Sequence, residues 1–188
     1  MSNTPACRTI QVCAFRGDRT RAFVAAFRQA LDDEKNGRGP GPTADQCLLY
    51  AGHTGVSTDW GATIYGFHPD GAGVPVWQLM DDLKNGKAYP GVVNDDTAVF
   101  NAARSHPLPV FSFDVILPDP QFQRFKTDLD AERPKNQYSY GFPNGDGDCN
   151  CTTWLERLGL SLLTGRMDEF VGLSALAASV SRRFGLCV

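Results

Sequence analysis

The chain has 188 residues, 42% of them apolar and 21% charged, which suits one globular domain spanning 1–188 and argues against disorder or a fibrous repeat. Eighteen basic against 21 acidic residues leave a net charge of −3, without the broad basic footprint of a nucleic-acid binder. No run approaches the ~18 uninterrupted apolar residues of a membrane span; the longest late one, Phe170 to Val180, is broken by Gly172, Ser174 and Ser179.

Met1 to Arg8 is polar and carries no cleavage-site pattern. The expectation is a protein made and kept in the cytosol, unless a machine that needs no signal peptide exports it. That compartment argues against disulfides among the six cysteines. Cys7, Cys13, Cys47 and Cys187 lie in or beside apolar stretches and read as small buried hydrophobes.

In chain order, Thr9 to Phe15 reads as a strand, rich in β-branched and aromatic residues. Asp18 reads as the cap of a helix with Phe23, Phe27, Ala30 and Leu31 at helical spacing, closed by Gly37. Asn36 to Pro42 is a Gly/Pro loop. Gln46 to Ser57 reads as a strand, Thr58 to Gly61 as a turn, and Ala62 to His68 as the returning strand of an antiparallel hairpin. Pro75 to Met80 adds a short edge strand. Asp95 or Asp96 caps a short helix to about Arg104, and Pro109 to Leu117 is another strand. Gln121 to Glu132 forms an amphipathic helix with Phe122, Phe125 and Leu129 on one face. Tyr138 to Phe142 is extended, and Asn144 to Asp148 is a tight polar loop. Cys151 to Leu163 is a helix, and a last helix runs from about Met167 to Arg182. The class is α+β: an antiparallel sheet with a C-terminal helix that carries the candidate nucleophile.

Three histidines are present, and two of them, His53 and His68, fall on the hairpin. Antiparallel pairing centred between Trp60 and Gly61 places them opposite each other on one face. Gly52 and Gly55 beside His53 mark a close approach of another segment or a ligand. Cys151 follows a Gly/Asp-rich loop and opens a helix. There the macrodipole and unpaired N–H groups favour thiolate, and a neighbouring imidazolium favours it further. Cysteine and histidine in this arrangement form an ion pair that attacks carbonyl carbon.

Zinc is the main competing chemistry, with Cys149, Cys151, His53 and His68 as a ligand set. The single-residue gap between the cysteines is shorter than structural zinc sites use. A calcium loop over Asn144, Asp146 and Asp148 fails, because Cys149 and Leu155 stand where an EF-hand needs Gly and Glu. No nucleophile elbow, phosphate loop or dinucleotide fingerprint is present, so serine-hydrolase and nucleotide chemistry are not expected. Neither a metal nor a cofactor is expected.

The order His53-Thr54-Gly55-Val56, then His68, then Asn150-Cys151-Thr152-Thr153-Trp154-Leu155 resembles the circularly permuted branch of the NlpC-type, papain-like cysteine hydrolases, which includes relatives of lecithin:retinol acyltransferase. The resemblance covers about 25 residues in two blocks. It implies a permuted papain-like fold in which Cys151 is the nucleophile, His53 its proton partner, and His68 the group that orients His53. Permuted members often carry Asp or Glu in that third position, which makes Asp70 the other candidate. Tyr50 and Tyr140 are candidates to line the site. The implied activity is that of an amidase or peptidase working through a thioester, with the peptide of bacterial cell wall as substrate. With no signal peptide, it would suit an antibacterial effector delivered by a contact-dependent machine such as type VI secretion, with an immunity protein as partner. The alternatives are an acyltransferase or deamidase on lipid or host protein, and a non-enzymatic binding domain of the same fold.

Overall fold

The computed structural model describes residues 6–106, 108–133, 138–141, 149–155 and 158. The expected loop at Asn144 to Asp148, the last helix from Met167, and Cys187 lie outside them. The fold is mixed α+β, built on one sheet in which every strand pair is antiparallel. Its strands are β1 (Cys7–Arg16), β2 (Gly52–Ser57), β3 (Tyr65–Pro69), β4 (Tyr89–Asp95), β5 (Val110–Pro118) and β6 (Ser139–Tyr140), in the spatial order β5-β1-β2-β3-β4-β6. The helices are α1 (Arg21–Lys35), α2 (Ala44–Ala51), α3 (Val76–Lys84), α4 (Thr97–Ser105), α5 (Asp119–Glu132) and α6 (Cys151–Leu155).

Side chains alternate across the sheet, so both faces carry a core. On one face Ile10, Val12, Val56, Phe67, Val93, Phe113 and Val115 pack under Phe122, Phe125 and Leu129 of α5 and Trp154 and Leu155 of α6. Trp154 and Phe67 are fully buried, with their rings stacked at 5.6 Å. On the other face Cys13, Phe15 and Ile64 pack against Leu49 of α2 and Val99, Phe100 and Ala103 of α4.

Four sequence expectations change. Gln46 to Ser57 is not one strand but most of α2 followed by β2. The apolar run Cys47-Leu48-Leu49-Tyr50 fits either period, and capping decides it. The Thr43 hydroxyl accepts from the Gln46 N–H, while the Gln46 side chain accepts from the Thr43 N–H. Gly52, at φ +86°, then turns the chain into β2. Pro75 to Met80 is the start of α3 rather than an edge strand. The Glu34 carboxylate of α1 accepts from the first two N–H groups of α3, those of Val76 and Trp77, at 3.0 and 2.9 Å. Asp18 is not a helix cap. It is buried, accepts from the Thr20 N–H at 2.7 Å, and leaves Thr20 as the N-cap of α1. Cys7, half-buried at the start of β1, is disulfide-bonded rather than a small apolar residue. Cys13, Cys47, Cys149 and Cys151 carry no disulfide.

β4 was not foreseen, and it proves decisive for the site. The hairpin register is as expected. Gly55 pairs with Gly66 and Val56 with Tyr65, so the centre falls between Trp60 and Gly61. The returning strand starts late, at Tyr65, behind a wired turn. The Ser57 hydroxyl donates to Asp59 Oδ1 at 2.7 Å and accepts from the Gly61 N–H at 2.8 Å. Trp60 and Gly61 both take positive φ, +62° and +82°.

Candidate active site

Continuing the β2–β3 register past Gly55 and Gly66 brings His53 opposite His68. The two imidazoles lie with centroids 4.7 Å apart and a tilt of 33°. They do not bond each other directly. Oδ2 of Asp96 stands between them, accepting from Nε2 of His53 and from Nε2 of His68 at 2.7 Å each.

Three local choices put Asp96 there. β4 runs alongside β3, with Tyr65 opposite Asp95, so the residue after β4 arrives beside Ile64. The Asp96 N–H donates to the Ile64 carbonyl at 2.7 Å, and the Ile64 N–H donates to Thr97 Oγ1 at 3.0 Å. Asp96 is the N-cap of α4, yet its side chain caps nothing. Asp95 takes over that duty, accepting from the Thr97 N–H and hydroxyl at 3.0 and 2.6 Å. The Asp96 carboxylate is thereby released to the histidines. Gly66 completes the arrangement, because a Cβ there would stand 1.9 Å from Asp96 Oδ2 and 2.2 Å from His53 Nε2. Gly55, opposite it, would push a Cβ to 2.7 Å from Ile64 Cγ2 and 3.0 Å from the Phe100 ring. Gly66 thus hollows out the space that the cluster fills, while Gly55 makes room for the Ile64 and Phe100 side chains beside it.

The cluster is buried, with 1% of the His53 side chain, 10% of His68 and 6% of Asp96 exposed. Phe15 and Phe100 wall His53, with ring centroids at 6.3 and 5.9 Å. Burial works against the proton on His53, but hydrogen bonds to Asp96 and Cys151 outweigh it and raise its pKa to about 9. Burial also works against charge on Asp96, and the two imidazoles overcome it, holding the carboxyl below its ordinary value. His68 goes the other way. Burial, joined by the positive charge on His53, pulls its pKa below the usual histidine value despite Asp96. An ionised carboxylate can only accept, so both Nε2 atoms bear hydrogen. At neutral pH the cluster is an imidazolium at His53, a carboxylate at Asp96 and a neutral imidazole at His68.

Cys151 opens α6, which packs on β2 and β3. The Asn150-Cys151 pair has a local reason. The Asn150 side chain accepts from the Thr153 N–H at 2.9 Å, and the Thr153 hydroxyl accepts from the Asn150 N–H at 2.8 Å, a reciprocal cap that fixes the first turn. Half-buried Cys151 hydrogen-bonds His53. Asp96 already occupies Nε2, so Nδ1 is the ring nitrogen left to face the sulfur.

The structure thus brings Cys151, His53 and His68 into one neighbourhood and adds Asp96, which sequence reasoning saw only as a helix cap. Asp70 is not part of it. It is an exposed turn residue that accepts from the Ala72 N–H at 3.2 Å. The link from His68 to His53 runs through Asp96, not directly as the resemblance implied. Tyr140 lies close enough to Cys149 and Cys151 that burial and the two sulfurs push its phenol well above the ordinary value. Tyr50 is engaged elsewhere, stacked on Phe27 at 4.2 Å with Arg19 over its ring. His106 sits past the end of α4 and contacts Phe23. Burial raises Cys13 and pushes Cys47 up to about 11, which keeps both as thiols at neutral pH. Cys149 belongs to the apolar core around Phe67 and Trp154. Among the described residues, no group joins Cys149 to the two histidines as metal ligands. The group that could hold an ion is His53, His68 and Asp96, whose ligand atoms all lie within 4.8 Å of one another. No family model, characterised protein or solved structure matches the chain.

Proposed function

We propose that the chain is a cysteine amidase or peptidase acting through a thioester. The observation that carries this reading is His53, a buried imidazole bonded to Asp96 on one side and Cys151 on the other, with its pKa raised to about 9. Such a ring supplies a cation beside the sulfur at neutral pH, the condition that makes a cysteine a nucleophile. The Cys151 thiolate adds to the substrate carbonyl carbon, and the backbone N–H of Cys151 helps hold the oxyanion. His53 gives its Nδ1 proton to the leaving amine as the C–N bond breaks, leaving an acyl thioester. Neutral His53 then takes a proton from water, whose oxygen attacks the thioester. The acid departs, and thiolate and imidazolium are restored. Asp96 orients His53 and balances its charge, the part that carboxylates take in hydrolytic triads. His68 is a positioning residue that holds Asp96 Oδ2 in place.

The resemblance to permuted NlpC-type hydrolases supports the peptide of bacterial cell wall as substrate, in an antibacterial effector neutralised by an immunity protein. Digests of purified peptidoglycan by wild type and Cys151→Ala, compared by intact mass, test this. New fragments are expected from wild type alone, while Cys149→Ala keeps cutting. Iodoacetamide should modify Cys151 far faster than Cys13 or Cys47. Turnover by Cys151→Ala close to that of wild type, or loss of turnover in Cys149→Ala alone, would overturn the assignment. Rapid labelling of Cys151 with no cut peptide would favour an acyltransferase or deamidase instead. Slow labelling would favour a non-enzymatic binding domain.

A further inference from the structure

We propose that His53 Nε2, His68 Nε2 and Asp96 Oδ2 also form a binding site for a zinc-class divalent ion.

Two imidazole nitrogens and one carboxylate oxygen are a ligand set for first-row transition ions, and three protein ligands leave the fourth position open. Magnesium and calcium, which take six or more oxygens, are poorly served by it. The donors converge already, with Asp96 Oδ2 at 2.7 Å from each nitrogen. Ligands at the usual zinc distances of about 2.0–2.1 Å stand roughly 3.3 Å apart around a tetrahedral ion. The carboxylate therefore has to withdraw by roughly half an ångström, which rotation of one side chain supplies while its backbone stays pinned to Ile64. Phe15 and Phe100 keep the His53 side dry, which strengthens metal–ligand bonds. The more exposed His68 ring leaves an approach from its own side.

Coordination through Nε2 uses the lone pair of neutral His53 and displaces the proton held there, while Nδ1 keeps its hydrogen. Cys151 faces the other ring nitrogen and is not needed as a ligand. This separates the proposal from an ordinary thiolate–zinc site.

Equilibrium dialysis against zinc chloride, with cobalt(II) chloride as an optical probe, tests it on wild type, Cys151→Ser, His68→Asn and Asp96→Asn, with far-UV circular dichroism to confirm folding. One equivalent is expected in wild type and in Cys151→Ser, with affinity at least about 100-fold weaker in the other two. The cobalt spectrum should lack a sulfur charge-transfer band. EDTA should strip the ion and abolish the cobalt absorption. Absent binding in wild type, binding lost in Cys151→Ser, or a charge-transfer band would each overturn the proposal. Should His68→Asn and Asp96→Asn fail to fold, wild type alkylated at Cys151 decides, because it must still take up one equivalent. Zinc uptake by a protein that cuts no substrate in the metal-free form would sink the hydrolase reading and leave the ion site standing.

Discussion

Replacing Gly66 by alanine should dismantle the site with a single methyl group. The new Cβ would stand 1.9 Å from Asp96 Oδ2 and 2.2 Å from His53 Nε2, where real Cβ contacts stay beyond 3.0 Å. Each atom must retreat by about 1 Å, and a 2.7 Å hydrogen bond stretched that far is no longer one. Breaking a buried ion pair by removing one partner costs about 3–5 kcal/mol. Here Asp96 keeps His68, so a loss of about 2–3 kcal/mol is the better expectation, offset by up to about 1 kcal/mol for replacing a strand glycine. The net of about 2 kcal/mol corresponds to a melting temperature lower by about 4–8 °C in a chain of this size. Losing the group that sets the tautomer of a catalytic histidine costs up to about 10⁴-fold in turnover. Thermal unfolding and the rate of Cys151 alkylation read the two effects separately. Gly55→Ala is the control. It strains Ile64 and Phe100, so it should lower the melting temperature while Cys151 still alkylates rapidly. In an Asp96→Ala background, Gly66→Ala should cost less, because one of the two atoms it strikes is gone. A Gly66→Ala protein that matches wild type in melting and labelling, or that suffers equally with and without Asp96, would refute the reasoning.

Nitrogen-detected NMR of the imidazoles should show His53 holding both ring protons up to about pH 9, while His68 titrates below the ordinary histidine value. The reverse order would exchange their roles. Protonated His53 is the form that serves the amine, so activity should fall as pH rises through about 9, and Asp96→Asn should move that limb to lower pH because it removes a group that raises the pKa. Trp60→Asn should stabilise the fold by about 0.5–1 kcal/mol in thermal unfolding, since asparagine tolerates the left-handed backbone that tryptophan is forced into at φ +62°. A loss of stability would mean that the exposed indole makes contacts worth more than the strain.

Both histidines were legible in the sequence because a hairpin register depends on a single number, its centre, and the turn residues around Trp60 and Gly61 supply it. Cys151 was legible because a polar loop running into an apolar helical repeat announces a helix start. Asp96 was not. The strand that delivers it, Tyr89-Pro90-Gly91-Val92-Val93-Asn94-Asp95, contains a proline and a glycine, which argue against a strand wherever the sheet context is unknown. Pro90 is tolerated because its nitrogen lies on the β3 side, level with Asp70 just past the last residue of β3, where its carbonyl still accepts from the Asp70 N–H at 2.6 Å. Without β4, an aspartate before a helix looks like an ordinary cap, and only the tertiary pairing of β4 with β3 shows that Asp95 caps in its stead. The error at Gln46 to Tyr50 was of another kind. Four apolar residues in a row carry no period, and the Thr43–Gln46 capping signal, present in the sequence, outweighs them.

The order in which the site's parts occur along the chain sets a timetable for the newly made protein. His53, His68 and Asp96 all fall between Gly52 and Thr97, on consecutive elements that pair with their neighbours. Of these four residues Cys151 is translated last, on a helix that packs on strands translated before it. At about 5–20 residues per second, a ribosome needs several seconds to pass from Asp96 to Cys151. On the proposed mechanism, every residue of the proton machinery is synthesised before the residue it activates. The docking of α6 becomes the arming step, because until it seats on β2 and β3 the Cys151 sulfur has no imidazolium beside it.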